Sequence, residues 1–404
     1  MRIQDLALQR AKYKHLSDEE WRWFLQQEEG RIRTADKLPA FAGIEDWWYP
    51  VRLSCEQCSS ELTARYKASI LPSDTKDGVC TMADLTGGYG IDTYFLSGHF
   101  EHTDYVEQNA ELCRIAAHNF AVSQKSSVSV HNSTAEEFLA SAGRYSLLFL
   151  DPARRDSRGG KVFNIADCTP NAAELLPTLT DHLSETGRIL LKLSPMLDIT
   201  RALKELTPAQ NILEWDVHVV AVRNEVKEVL LLSRPIPQSG HSSTITAIDP
   251  AEPEKAFVFT RKEEAGSGSG LTAMTANELA AMLSDSGTIY LYEPGAAILK
   301  AGAYKTVAAR FGIEKAAANT HLYLSREHIP HFPGRVWHIV QVIKDRRDLP
   351  PEWRQANVIA RNHPLKAEQL KKHLRLTDGG EKYIIGFRLG DKPVIVLAER
   401  ITAG

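Results

Sequence analysis

Cysteine is scarce in this sequence, and long apolar runs are missing. Five cysteines among 404 residues is an odd number at low density, which argues against a secreted disulfide framework. Cys55-x-x-Cys58 is the one close pair. Zinc would need a second pair, and Cys80, Cys113 and Cys168 are isolated, so no metal is expected. The pair opens an expected helix, as a redox pair would. Its surroundings are not thioredoxin-like, and structural cysteines are the better reading. No run of about 18 apolar residues occurs, so nothing is expected to span a membrane. The start, Met1-Arg2-Ile3-Gln4-Asp5, lacks the apolar stretch of a signal peptide; the cytoplasm is the expected compartment. With 43% hydrophobic and 25% charged residues, composition excludes disorder, collagen and coiled coil. At roughly 150 residues per domain the length suggests two or three domains.

Charge of one sign is not in large excess either, at a net −3, but it is unevenly spread. Residues 331–404 hold 14 Lys+Arg and 8 Asp+Glu, a balance of +6, which leaves −9 on residues 1–330. A basic end on an acidic body suits contact with a polyanion. A solvated basic face is the alternative, because net charge speaks to association and not to fold.

Residues 1–77 read as a helical region. Ser17 and Glu20 form a capping-box pattern before Trp21, Trp23, Phe24 and Leu25, with Gly30 as the stop. The cluster Trp47-Trp48-Tyr49-Pro50 suits an aromatic clamp, with base stacking as the alternative. Ser54 and Gln57 repeat the capping spacing and predict a helix over Cys55–Ile70, before an Asp77-Gly78 turn. Residues 78–235 alternate short apolar strands with helical stretches. Strands are read at Val79–Asp84, Tyr105–Glu107, Val128–His131, Ser146–Leu150 and Arg188–Leu193. Helices are read at Ile91–Leu96, Ala110–Val122, Ala135–Ala140, Ala172–Leu183 and Ile199–Leu206. This is the pattern of a doubly wound parallel sheet. Leu213–Val222 and Val226–Ser233, joined by an Asn224-Glu225 turn, must be antiparallel, because a parallel crossover needs a dozen residues. The fold class is therefore α/β, a Rossmann-like sheet closed by a terminal antiparallel hairpin; by fold-level analogy alone this resembles a methyltransferase more than a dehydrogenase. Residues 236–330 read as a linker and a small α+β piece: Pro235 just before, Pro237, Gly240 and the Gly266–Gly270 run suit linker or exposed hairpin tips, and then come a strand at Thr288–Tyr292 and a helix over Ala296–Phe311. Residues 331–404 read as a small α+β unit, with a strand at Val336–Ile343, a helix at Leu365–Leu374 and a hairpin of Tyr383–Leu389 and Val394–Ala398 across Gly390-Asp391.

Three segments carry chemistry. Asp84-Leu85-Thr86-Gly87-Gly88-Tyr89-Gly90-Ile91-Asp92 sits where a strand ends and a helix begins, and its glycines admit a ligand close to the backbone. An acid precedes them. Asp84 would repel a pyrophosphate and suits a cation, such as the ammonium of S-adenosylmethionine; a merely tight turn is the alternative. Glu107 follows Asp84 by 23 residues and ends the second strand, where an acid accepts hydrogen bonds from ribose hydroxyls. Asn132, after the third strand, suits an adenine amine or a loop cap. Asp151-Pro152-Ala153-Arg154-Arg155-Asp156 ends the fourth strand, where Asp151 and the carbonyl beside Pro152 could hold an amine in line for methyl transfer. A strand-ending turn with an Arg–Asp ion pair is the alternative.

These three elements resemble the class I S-adenosylmethionine-dependent methyltransferases. Asp151-Pro152-Ala153-Arg154 is similar to the Asp/Asn-Pro-Pro-aromatic motif of amino-methylating enzymes that act on nucleic acids. It has Ala153 for the second proline and Arg154 for the base-stacking aromatic; a guanidinium can also stack on a base or hold a phosphate. The pattern also looks like the Asp-Pro-Pro-Arg of uracil carbon-methylating enzymes, but Lys192-Leu193-Ser194-Pro195 offers no cysteine nucleophile. A fuller resemblance takes in Glu56 to Ala64, Asp84 to Asp92, Asp151 to Asp156, Tyr292-Glu293-Pro294-Gly295, Lys300-Ala301-Gly302 and Ala356 to Asn362. It is to bacterial methyltransferases with a THUMP-like carboxyl-terminal domain. That resemblance implies S-adenosylmethionine as cofactor, with Asp84, Thr86, Gly87, Gly88, Tyr89, Gly90, Glu107 and Asn132 around it. It implies a ferredoxin-like piece, a THUMP-like end and an RNA partner. In the tail Lys371 and Arg375 are placed on one helix face, with Lys366 and Lys372 nearby and Arg361 before the helix, as phosphate contacts. Gln57, Ser59, Ser60 and Thr63 either line the cofactor's mouth or only cap the sheet.

Overall fold

In a computed structural model the structure describes residues 10–71, 80–154, 165–206, 213–235, 242–285 and 287–401. The Asp77-Gly78 turn, Val79, Arg155-Asp156, Pro237, Gly240 and the side chain of Arg154 lie outside the described residues. The chain forms two compact units, Met1–Val217 with Glu228–His241, and His218–Lys227 with Ser242–Gly404.

The first unit begins with α1, Asp18–Thr34, capped reciprocally by Ser17 and Glu20 as expected. Gly30 does not stop it. A Cβ at residue 30 would lie 2.2 Å from the Cβ of Tyr49, so this glycine lets the Trp47–Tyr49 segment lie directly on the helix. The helix expected over Cys55–Ile70 is two, α2 Arg52–Gln57 and α3 Glu61–Ser69. Cys58 and Ser60 are extended, and the Ser60 side chain accepts from the Thr63 amide at 3.2 Å. The effective cap is therefore Ser60, six residues after the Ser54 signal. Lys37 closes the end of α2 by donating to the carbonyls of Cys55 and Glu56 at 3.0 and 2.8 Å. Burial, and then Cys58, push the Cys55 thiol up to about 12, away from the thiolate form.

The sheet follows as β1 Thr81–Asp84, α4 Ile91–Leu96, β2 His102–Glu107, α5 Ala110–Val122, β3 Val128–Asn132, α6 Ala135–Leu139 and β4 Tyr145–Leu150. A two-residue ribbon, β5 Ala153–Arg154 with β6 Cys168–Thr169, precedes α7 Ala172–Asp181, β7 Leu183–Leu193, α8 Ile199–Glu205, β8 Leu213–Val222 and β9 Glu225–Pro235. The spatial order is β3-β2-β1-β4-β7-β9-β8. The first five of these strands are mutually parallel. β9 runs antiparallel to β7, from Leu190 opposite Leu232 to Leu193 opposite Val229. Its hairpin turn is Arg223-Asn224, one residue earlier than expected, with φ of 53° and 62°; two left-handed residues give the turn the twist of the flanking strands. Leu147–Leu150, Ile189–Leu191 and Val229–Leu232 are almost wholly buried, as strands covered on both faces must be. The chain order reverses between β1 and β4, which places the switch point of the sheet there.

The aromatic cluster clamps the helical region to this sheet. The Trp47 indole donates to the Tyr89 hydroxyl at 2.7 Å, and Tyr89 donates to the Trp48 carbonyl at 3.1 Å. The Trp48 ring stacks on His118 at 3.6 Å. Base stacking by Trp47 is excluded by its burial.

Beneath the carboxyl edge of the sheet lies a chain of buried charges. The Lys67 ammonium, fully buried on α3, donates to both carboxylate oxygens of Glu228 on β9, at 2.7 and 2.9 Å. It also lies 3.2 Å from Asp92 on α4, which accepts from Ser59 at 2.7 Å. Burial works to raise Asp92, but Lys67 and Lys192 beside it hold its carboxyl below the usual range.

In the second unit, the stretch read as linker or hairpin carries regular elements: β10 Thr244–Ile248 pairs with β11 Phe257–Thr260, before α9 Arg261–Gly266 and α10 Ala276–Ser284. Then come β12 Tyr290–Pro294, α11 Ala296–Ala301, α12 Tyr304–Phe311, β13 Glu314–Ala317, β14 Thr320–Ser325, β15 Gly334–Ile343, β16 Asn357–Arg361, α13 Ala367–Leu374, β17 Lys382–Leu389 and β18 Lys392–Ile401. The helix expected over Ala296–Phe311 breaks at Gly302, whose φ is 80°. The strands from β12 on form one seven-stranded sheet, ordered β13-β14-β12-β15-β18-β17-β16. It curls until its ends meet, with the Gly390 amide on the Ala316 carbonyl at 2.8 Å and Asn362 on Thr320 at 3.1 Å. Leu291, Trp337, Phe387 and Val396 pack together in one of its cores. Among the described residues no helix is long and apolar enough to cross a membrane.

Removing one member of a buried ion pair strands the other. Lys67→Met should therefore cost about 3–5 kcal/mol of stability, and adding Glu228→Leu should restore much of it. Urea melts of the two single variants and the double variant measure this, and an additive double variant would contradict the pairing.

Candidate functional site

The glycine loop after β1 is held by its neighbours before any ligand is considered. Its Gly87 amide donates to the Val106 carbonyl at 2.9 Å, and the Gly88 amide to the Glu107 carboxylate at 3.0 Å. The Tyr105 hydroxyl donates to the Gly88 carbonyl at 2.5 Å. A Cβ at residue 87 would come within 2.2 Å of the Tyr105 ring. Gly88 is a glycine for a different reason. Its φ is +56°, and the nearest atom to its absent Cβ is the Thr86 carbonyl oxygen at 3.8 Å. The loop is crowded beneath Gly87 and open at Gly88.

Asp84 is only 1% exposed. It accepts from the Thr86 amide at 3.0 Å and from the Thr93 hydroxyl at 2.5 Å, so it braces the loop from within. Burial pushes its carboxyl up to about 7, against the pull of those two hydrogen bonds. Glu107 divides its oxygens between the amides of Gly88 and Asn109, at 3.0 and 2.8 Å. Asn132 donates to the carbonyls of Glu107 and Gln108, both at 3.0 Å, and so caps the loop after β2. Tyr89 is taken up by Trp47 and Trp48 and does not join the others. Gly90 starts α4 with φ of 82°.

Asp151 leaves β4 on the other side of the switch point. Its amide donates to the Thr86 hydroxyl at 2.6 Å, which ties the two loops together. Its carboxylate, 38% exposed, is ion-paired with the Lys192 ammonium on β7. Pro152 follows and leads into the β5–β6 ribbon, whose backbone includes Arg154. The structure thus gathers Asp84, Thr86, Gly87, Gly88, Glu107, Asn132 and Asp151 at the carboxyl ends of four adjacent strands.

Lys192, Lys67, Glu228 and Asp92 are the partners that motif reading missed. The signal was a lone lysine in the apolar strand Ile189-Leu190-Leu191-Lys192-Leu193 and a lone glutamate in Val226–Leu232. A charge inside a strand buried on both faces must be paired.

The basic residues of the tail are less available than expected. Arg361 donates to Glu293 at 2.5 Å, and Arg335 lies 2.6 Å from the same carboxylate, which is 2% exposed. Lys371 is ion-paired with Asp378. Arg375 is not on the helix face with Lys371. It is the left-handed cap of α13, with φ of 55°. Lys366 precedes α13, and Lys366, Lys372 and Arg375 are exposed.

The fold matches that of a candidate methyltransferase from Porphyromonas gingivalis W83 with a TM-score of 0.79 and 31% identity, over 96% of this chain and 92% of that one. The chain belongs to that family. The family profile of a ferredoxin-like domain matches residues 290–333, and that of a THUMP-like domain residues 334–400. In this chain both contribute strands to the single curled sheet of the second unit, since β12 pairs with β15. Weaker likenesses are to an rRNA methylase from Streptococcus thermophilus (12% identity, 44% of this chain and 95% of that, TM-score 0.33) and to a candidate methyltransferase from Streptococcus mutans in complex with SAH (11%, 44% and 97%, 0.33). None of the curated proteins matches the chain significantly.

The Asp84 carboxyl sets a pH dependence. Its folded value, about 7, lies above the ordinary 3.8, so the folded state holds a proton that the unfolded chain releases. That stabilisation is fully present below about pH 4 and is lost as pH rises through about 7. Thermal melts across this range should show a steeper fall for the wild type than for Asp84→Asn. Parallel curves would mean that Asp84 ionises normally.

Proposed function

We propose that this protein is an S-adenosylmethionine-dependent methyltransferase that acts on RNA, at a base amine. One observation carries the reading: the 2.6 Å hydrogen bond from Asp151 to Thr86 joins a glycine loop suited to the cofactor to an Asp-Pro suited to the acceptor. Family membership and the THUMP-like match support it.

The residues fit the cofactor. Each Glu107 oxygen spends one lone pair on a backbone amide and keeps another for a ribose hydroxyl. The open face of Gly88 lets a ligand approach the backbone. Asp84, being internal, would act by holding the loop rather than by touching the ammonium. Asn132 borders the same edge. When bound, S-adenosylmethionine would supply a sulfonium methyl to a nitrogen lone pair. Asp151, with the carbonyl beside Pro152, would accept the amine's N–H bonds and hold that nitrogen in place, so little acid–base chemistry is asked of the protein. In this reading residues 78–235 do the chemistry and residues 331–404 hold RNA. Lys366, Lys372 and Arg375 are its phosphate contacts, while Arg361 and Lys371 serve first in internal pairs.

Titration calorimetry with S-adenosylmethionine should show weaker binding for Gly87→Ala, whose new methyl group meets Tyr105, and for Glu107→Ala. Asp151→Ala should keep cofactor affinity and lose transfer into RNA from cells lacking the protein. Wild-type protein that binds RNA and transfers no methyl group would favour a non-catalytic RNA-binding role.

Phosphate contacts release counterions, so RNA affinity should fall steeply with salt. Lys372→Glu with Arg375→Glu should flatten that slope and weaken all RNAs alike, while Lys371→Glu alone should do less. Filter binding across a salt series tests this, and an unaltered slope in the double variant would leave α13 out of the interface.

A further inference from the structure

Lys192 is not among the residues assigned to cofactor or acceptor. It stands in an apolar strand, only 12% of its side chain is exposed, and its ammonium is bound to the Asp151 carboxylate. Burial opposes its charge, yet Asp151 and Asp92 keep it more firmly protonated than an ordinary lysine. We propose that Lys192 is the positioning residue of the acceptor side: it fixes the Asp151 carboxylate for the methyl-accepting amine, and a chain of alternating charges behind it keeps it in place. This rests on the reading of Asp151 as the acceptor-binding acid.

The chain can be followed atom by atom. Lys192 reaches Asp151 on one side and lies 3.6 Å from Asp92 Oδ2 on the other. Asp92 Oδ2 also accepts from Ser59, and Asp92 Oδ1 lies 3.2 Å from Lys67. Lys67 ends the chain on both oxygens of Glu228. Signs alternate from the half-exposed Asp151 to the fully buried Lys67 and Glu228. Five elements contribute: the loop after β4, then β7, α4, α3 and β9. A lysine held only by Asp151 could swing with it. One held from behind as well has a single place to put its ammonium, and Asp151 must follow.

The consequence for the acceptor is specific. Lys192 occupies Asp151 Oδ2 and leaves Oδ1 to accept. An ion-paired carboxylate offers no proton of its own, so this group accepts from N–H donors and repels carbonyl oxygens. That favours a base carrying an exocyclic amine over a keto base at the same place. Lys192 also cannot serve as the base that collects the product's proton, since its own proton is held by two carboxylates; that proton passes to water.

The test uses full-length protein, tritium-labelled S-adenosylmethionine and bulk RNA from cells deleted for the gene. Single-turnover transfer by Lys192→Met should fall by about 100-fold, the scale of loss for a displaced reacting group, with cofactor affinity by calorimetry unchanged. Lys192→Arg should recover most of the rate. The double variant Lys192→Met with Asp151→Asn should be no slower than Asp151→Asn alone, because the lysine acts only through that aspartate. A folded Lys192→Met with wild-type rate overturns the proposal, as does a double variant whose loss is the product of the two single losses. Should Lys192→Met not fold, Asp92→Asn takes its place, leaving both members of the pair but loosening the lysine. Slower transfer at unchanged cofactor affinity supports the proposal, and an unchanged rate overturns it. If the wild type methylates no RNA, the reading of Asp151 falls and this one with it; an active wild type beside an equally active Lys192→Met removes this one alone.

Discussion

Lys67 has no access to water, and much of the first unit is arranged to make that tolerable. An ammonium in the interior is affordable only if its three donors are met by charge and by hydrogen-bond acceptors. Here Glu228 meets it with two oxygens, and Ser59 and Asp92 complete the shell. The consequence is geometric. α3 must lie close to α4 to bring Lys67 to Asp92, and β9 must double back beside β7 to bring Glu228 beneath both. The antiparallel strand is thus tied electrostatically to a helix far from it in sequence. A parallel sheet without that strand would leave Lys67 with only Ser59 and Asp92 beside it.

The same need to satisfy buried polar groups shapes the glycine loop. Buried Asp84 begins it, and Asp92, with 10% of its side chain exposed, ends it, yet they sit in opposite regimes. Asp92 has lysines beside it and stays ionised easily. Asp84 has a hydroxyl and an amide, and burial raises it to about 7. The first is an electrostatic post and the second a hydrogen-bonding brace. Between them the backbone has little freedom: Gly87 is pressed on the Tyr105 ring, and the Gly88 amide is held by Glu107. Such preorganisation lowers the cost of ordering a loop around a ligand.

Periodicity revealed the elements that obey one period throughout. α4 and α5 were legible to the residue, and β1 to β4 to within a few, because apolar strands and amphipathic helices alternate cleanly there. The errors share a cause: a local signal was decided by something distant. Gly30 reads as a stop, and only Tyr49, 19 residues later, makes it a packing glycine. Ser54 reads as a cap, and the extended Cys58–Ser60 segment passes that role to Ser60. Residues 244–260 read only as linker or hairpin, because a short two-stranded ribbon leaves little period to detect. In the site, the glycines, Glu107 and Asp151 were legible as motifs. The lysines were not, because a charge in an apolar strand announces that a partner exists without saying which one it is.

The charge of the tail shows the same limit. A +6 balance over residues 331–404 counts side chains as though each faced water. Two of those positive charges, Arg335 and Arg361, are spent on Glu293, which lies outside that segment and so never entered its count. Lys371 is spent on Asp378. A buried acid that draws two arginines is doing structural work in the curled sheet, joining β12 to β15 and to the end of β16. The positive surface left to a polyanion is therefore narrower than the balance implies. Around α13 it includes Lys372 and Arg375 at the carboxyl-terminal end and Lys366 at the start, and elsewhere in the segment Lys344, Arg346, Arg354, Lys392 and Arg400 are exposed as well. The carboxyl-terminal pair also meets the negative end of the helix dipole, which weakens its pull on an anion at that end. Any phosphate contact there must come from side chains reaching outward past the helix end, where Lys372 and Arg375, the latter a left-handed cap with φ of 55°, are both exposed.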